Sequence, residues 1–203
     1  MPPAVDIYAL GPTETNCYVV RGDPDATDAV VVDPGYEIDP GVPIAAILVT
    51  HCHWDHLGGI ADLAEANRAP VYFPEREAMV LENPDEWYPG VPIRPYSPDV
   101  RVNGGDTFEA AGVEFEVVDV PGHSPGHVAY STDGVIFSGD VLFAGSVGRT
   151  DLPGADWDTL VESIRTLFDR FPPDTAIYPG HGPPTTLAAE RARNPFLAEL
   201  RAS

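Results

Sequence analysis

The chain has 203 residues, and its 11 arginines against 32 Asp and Glu leave a formal net charge of −21. At 43% hydrophobic and 21% charged it has an ordinary globular composition, with length for a sizeable core and one expected domain over 1–203. So acidic a surface repels phosphate backbones and anionic headgroups, which disfavours nucleic-acid and membrane partners. There is no lysine, so Schiff-base chemistry on that side chain, pyridoxal phosphate attachment and a P-loop lysine are excluded.

No apolar run nears the ~20 residues of a membrane span. The start MPPAVDIYAL lacks a basic and then apolar leader pattern, so we read the chain as soluble, not exported and cytoplasmic. Cys17 and Cys52 make no CxxC, which fits a reducing compartment, although one disulfide between them stays open at this level.

In chain order, short apolar runs at 5–10, 16–20, 29–33 and 44–50, punctuated by Gly, Pro and Asp, read as strands covered on both faces. GIADLAEANR then predicts a helix ending before Ala69-Pro70, and a weaker helical pattern covers 75–82. Residues 83–98 hold five prolines and three aromatics, read as a stiff surface loop in which Trp87, Tyr88 and Tyr96 could roof a pocket. Strands follow at DTFEA, 113–120, 127–132 and 135–140. The clearest helix is 156–171, where Leu160, Ile164, Leu167, Phe168 and Phe171 form one apolar stripe. AIYPGHG reads as strand-to-loop, and Asn194 and Pro195 suit the N-cap and first turn of a short terminal helix. Strands in both halves with helices between them suggest one layered α/β domain.

The six histidines carry the chemistry. His51, His53 and His56 fall in one stretch, His51-Cys52-His53-Trp54-Asp55-His56, directly after an apolar strand. On extended backbone His51 and His53 point the same way, toward one metal, and the following turn aims Asp55 and His56 at a second position close by. A solvated histidine-rich loop is the bland alternative, but HxHxDH is far more restrictive than a lone histidine pair. His123 in VPGHSPGH, Asp140 at the end of VIFSGD and His181 in AIYPGHG all follow apolar strands beside glycines. Together these supply five imidazoles and two carboxylates, enough for two divalent ions, with Zn first and Fe or Mn as alternatives.

THCHWDHLGG, PGHSPGH, FSGDVLFAGSVGRTDLPG and YPGHGPPTT resemble the successive motifs of the metallo-β-lactamase superfamily. In detail they are similar to the short single-domain glyoxalase II-like hydrolases, over about residues 13–197. The resemblance implies a four-layer αββα sandwich with the site at one edge. It implies His51, His53 and His123 on one metal, Asp55, His56 and His181 on a second, and Asp140 bridging both. His127 has no ligand role in that pattern and is read as structural or as a support for a ligand. Cys52 is read as a small buried hydrophobe, and Trp54 as core or pocket wall.

The implied activity is hydrolysis of a small-molecule thioester such as S-lactoylglutathione, with two metals lowering the pKa of a bridging water and Asp55 orienting it. A thiolate needs little acid help to leave. Arg149 stands where the resemblance implies a basic substrate contact, so a guanidinium there could hold the thiol carrier's carboxylate. The alternative is an iron persulfide dioxygenase of the same superfamily, which shares the THCH…DH start and the GRTD loop. Here PGHG and GHSPGH follow the hydrolase pattern. Gly122-His123-Ser124-Pro125-Gly126 matches G-x-S-x-G, but Pro125 has no N–H for an oxyanion hole and a strand follows where a helix is needed. The match is accidental.

Overall fold

The computed structural model describes residues 2–201. In chain order it runs β1 Ala4–Leu10, β2 Thr15–Arg21, β3 Ala29–Val32, β4 Ile44–Leu48, α1 Ile60–Asn67, β5 Val71–Pro74, α2 Ala78–Glu82 and α3 Pro84–Trp87. It continues with β6 Val100–Val102, β7 Thr107–Ala110, β8 Val113–Asp119, β9 Val128–Thr132, β10 Val135–Gly139, β11 Leu142–Phe143 and β12 Ser146–Val147. It closes with α4 Trp157–Arg170, β13 Ala176–Pro179, β14 Thr185–Thr186 and α5 Leu187–Arg193.

Two six-stranded sheets form, ordered β1-β2-β3-β4-β5-β6 and β14-β13-β10-β9-β8-β7. Strand alternation shows how they stack. In β2, Tyr18 and Val20 face Val30, Leu48, Phe115, Val128, Tyr130 and Phe137 in a core between the sheets. From the same strand Cys17 and Val19 face the other way, onto Ile60, Leu63 and Ala64 of α1 and Leu81 of α2. The second sheet mirrors this, with Ala129 and Ile136 turned outward onto Leu160, Ile164 and Leu167 of α4 and Leu187 of α5. The layers are therefore α-β-β-α, the expected sandwich.

The helix expected at 156–171 forms, capped by Asp156, whose Oδ1 accepts the Thr159 N–H at 2.9 Å. Its stripe is buried apart from Phe171, which packs at the margin, and each fully buried Leu or Ile there contributes about 1.5–3 kcal/mol. α1 ends at Arg68, whose left-handed backbone (φ 55°) closes the helix.

Several expectations need correction. Strand β1 is an edge strand and largely exposed, with Ile7 and Tyr8 in solvent, because it pairs on one side only. The region 83–98 is not all loop, since Pro84 at the first turn starts α3. The pattern at 75–82 splits into a 3₁₀ turn, Glu75–Glu77, and α2. Strands β5 and β6 and helix α5 lie where no element was expected. After Asn194, residues 195–201 form a kinked 3₁₀ helix, though Asn194 Oδ1 does cap it by accepting the Phe196 N–H at 3.1 Å. Cys17 and Cys52 are both buried and free.

Candidate metal centre

At one end of the sandwich the sheets are stitched by backbone. The Val128 N–H donates to the Thr50 carbonyl at 2.9 Å, and the Asn16 N–H to the Gly180 carbonyl at 2.7 Å. That stitching brings the loops after β4, β8, β10 and β13 to one point. All seven expected ligand residues arrive there. Three groups have ligand atoms within 4.8 Å of one another: His51, His53 and His123; His51, His56 and Asp140; and Asp55, His56 and His181.

Asp140 lies between the outer two groups. Its Oδ2 is 3.4 Å from His123 Nε2 and 3.5 Å from His181 Nε2, and its Oδ1 is 3.6 Å from His56 Nε2. Asp55 Oδ2 is 3.3 Å from His181 Nε2 and accepts the Thr15 hydroxyl at 2.7 Å. Glycine makes this crowding possible, since a Cβ on Gly180 would sit 2.0 Å from Asp140 Oδ1 and one on Gly35 would sit 1.7 Å from the Asp55 carbonyl oxygen.

Most of the imidazoles are oriented by an oxygen behind them. Thr50 Oγ1 donates its one proton to Asp33 Oδ2 at 2.8 Å, so at His51 Nδ1, 3.0 Å away, it accepts. His123 Nδ1 donates to the Arg149 carbonyl at 2.8 Å, and His181 Nδ1 lies 3.2 Å from the Thr13 carbonyl. His56 Nδ1 is 3.1 Å from Asp33 Oδ2, an ion-pair approach off the hydrogen-bond line. These contacts leave each Nε2 facing the cluster, where a cation would take the place of any proton on it. His53 instead turns its Nδ1 toward His123 Nε2, 2.8 Å away.

The electrostatics divide the cluster. Burial, reinforced by neighbouring imidazoles, holds His51 well below the usual histidine range and His53 at about 4. Burial alone would also lower His56 and His181. Asp33, Asp140 and Asp55 outweigh it at His56, raising it to about 9, and Asp140 and Asp55 raise His181 to about 10. Burial would push the carboxylates up, but the His181 hydrogen bond with His56 and Thr15 brings Asp55 to about 2, and His181, His56 and His123 hold Asp140 below the carboxylate range.

The donor set fits divalent cations. Nε2 of His51, Nε2 of His56 and Oδ1 of Asp140 are buried with no hydrogen-bond partner, a costly arrangement that bound cations would relieve. Imidazole and carboxylate without thiolate suits Zn, Fe or Mn.

Sequence reasoning missed two supports. Asp33, buried at the end of β3, accepts the Thr50 N–H and hydroxyl, each at 2.8 Å, behind His51 and His56. The signal was available, because Asp33 ends AVVVD as Asp140 ends VIFSGD. Buried Glu77 accepts the Cys52 N–H at 2.8 Å with one oxygen and the Gly126 N–H at 2.7 Å with the other. It thereby clasps the two loops that carry His51, His53 and His123.

Above the cluster opens a cavity of about 660 Å³, whose floor includes His53, Asp55, His123, Asp140 and His181. Its wall includes Met79, Val80, Trp87, Tyr88, Leu152 and Pro153. Trp54 serves both expected roles, packing on the α1 side of the core and lining the cavity. Tyr96 does not join the wall; it packs against that core and donates to Asp99 Oδ2 at 3.1 Å.

The family model of the metallo-beta-lactamase superfamily matches residues 10–181, from the end of β1 to the last of the clustered histidines. The chain belongs to that superfamily. A relative from Haemophilus influenzae described as hydroxyacylglutathione hydrolase GloC is 33% identical, over 95% of this chain and 97% of its own. Among solved structures, BLEG-1 B3 metallo-beta-lactamase superposes with a TM-score of 0.87 at 36% identity, over 96% of this chain and all of its own. TTHA1623 in a di-iron-bound form gives 0.78 at 40% identity, over 97% of this chain and all of its own.

Within this superfamily fold the remaining singled-out residues sort by contact. His127 is outside the three donor groups; it stacks on His51 with ring centroids 4.3 Å apart and planes 9° from parallel, and its Nε2 lies 3.1 Å from the Ser138 carbonyl. Ser124 is buried with no partner for its hydroxyl, so no histidine activates it. Cys52 is buried in the α1-side core. Arg149 lines the cavity and forks onto Asp151 at 2.7 and 2.8 Å, while its backbone carbonyl orients His123. Among the described residues no helix is long and apolar enough to cross a membrane.

Proposed function

We propose that the protein is a metal-dependent thioester hydrolase of the hydroxyacylglutathione hydrolase type, acting on an acyl-thiol such as S-lactoylglutathione. The observation that carries the reading is Asp140 lying within 3.4–3.6 Å of His123, His56 and His181, between two donor groups beneath an open cavity. His51, His53 and His123 would hold one divalent cation, Asp55, His56 and His181 a second, and Asp140 both. When bound, such a pair supplies Lewis acidity and lowers the pKa of a water toward ~7.

The chain's own residues do the rest. Asp55, ionised and fixed by Thr15, accepts a hydrogen bond from the attacking water and so orients it toward the substrate carbonyl. The carbonyls of Arg149 and Thr13 hold His123 and His181 in the tautomers a cation needs. A thiolate leaves with little help, its conjugate acid having a pKa near ~8.5. An amine would need a proton, and the wall's phenol is unsuited to give one. Burial raises Tyr88 above the usual phenol range, and its O–H is donated to the Cys52 carbonyl at 3.2 Å.

The test is loss of the thioester of S-lactoylglutathione with purified protein, with O₂ uptake on glutathione persulfide and opening of a β-lactam measured alongside. Thioester loss without O₂ uptake or lactam opening is expected. O₂ uptake with iron would move the protein to the dioxygenase alternative, and lactam opening alone would move it to the chemistry named for BLEG-1.

A further inference from the structure

Two arginines line the cavity, Arg76 and Arg149. Arg149 is neutralised by its two-bond fork onto Asp151. Arg76 is exposed and makes no ion pair among the described residues. No carboxylate lining the cavity pairs with it. Of the three that line the cavity, Asp55 and Asp140 belong to the metal cluster, and both oxygens of Glu77 accept backbone N–H groups.

The base of Arg76 is well held. It lies in the 3₁₀ turn after β5, next to the Glu77 clasp, and its Cβ packs so closely on Gly126 that a Cβ there would come within 2.8 Å. In a chain of net charge −21, a cation anchored at its base and paired with no carboxylate, on a wall shared with Met79, Trp87, Leu152 and Pro153, marks a surface for an anion with an apolar stem. A guanidinium presents a planar donor fork matched to a carboxylate.

We propose that Arg76 is the specificity-determining cation of this site, binding a carboxylate of the thiol carrier in place of the neutralised Arg149. This rests on the thioester reading above. The experiment compares kcat/KM for S-lactoylglutathione, which carries carboxylates, with that for uncharged S-lactoyl-N-acetylcysteamine. Arg76→Gln lowers the ratio of the two by about tenfold, mainly through KM, and Arg76→Lys recovers part of the loss by restoring charge. An unchanged ratio in Arg76→Gln overturns the assignment.

Calorimetric binding of S-methylglutathione, which cannot be hydrolysed, is measured on the same proteins and weakens by about tenfold in Arg76→Gln. Equal binding to both proteins, or none to the wild type, overturns the proposal. If the wild type cleaves neither ester, the thioester reading falls and the binding comparison alone decides the role of Arg76.

Discussion

In the metal cluster beneath the cavity, His123 and His181 each rest one ring nitrogen near a carbonyl from elsewhere in the chain, His51 rests one near the hydroxyl of Thr50, and buried Asp33 stands behind His56. On the wall, Met79 and Trp87 are 46% and 54% exposed, and Arg76 makes no ion pair among the described residues. The floor is over-determined, because moving one donor strands several buried polar groups. Val80 and Tyr88 anchor the wall to the α1-side core, but its exposed members Arg76, Met79 and Trp87 can change without disturbing the chemistry. Substitutions should separate the two regions sharply.

The largest effect is expected at the junction of the donor groups. Asp140→Asn should cut turnover by about two orders of magnitude or more and lower metal content, because it removes the carboxylate between them. Near-normal turnover and metal content would break the two-metal picture. Gly180→Ala tests the crowding, since its Cβ would meet Asp140 Oδ1. It should cost about 1–3 kcal/mol in chemical denaturation and weaken metal retention measured against a chelator.

Asp33→Asn leaves every donor in place and removes the charge behind His56 and Thr50. It should reduce metal affinity by about 10–100-fold, read by competition with a chromogenic chelator; unchanged affinity would mean that Asp33 only fixes the loop. The smallest effect belongs to the wall. Trp87→Ala should change stability by less than about 0.5 kcal/mol, with metal content unaltered and KM raised. A large loss of metal in that variant would erase the distinction between the regions.

What was legible in the sequence follows the same division. The HxHxDH turn, His123, Asp140 and His181 could be read because metal donors admit few residue types and each follows an apolar strand. α4 was legible from its stripe, and β2, β3 and β4 from short apolar runs. β5 (VYFP) ends in a proline and β6 (VRV) carries an arginine at its centre, so neither repeats the unbroken apolar run of β3, and both are held by parallel pairing across the sheet. α5 is only seven residues long and owes its place to Leu187 packing on the α4 core. Nothing local in the sequence reveals that the oxygens of Glu77 hold Cys52 and Gly126. The pairing of Arg149 with Asp151 was visible as near neighbours, but its consequence for Arg76 needed the cavity.

The most direct test of the central claim is a titration of metal-free protein with Zn²⁺ or Fe²⁺, following S-lactoylglutathione hydrolysis against bound metal. The account expects activity to reach its plateau only near two metals per chain, with Asp140→Asn losing the second. Full activity at one metal per chain, with no further binding, would contradict it.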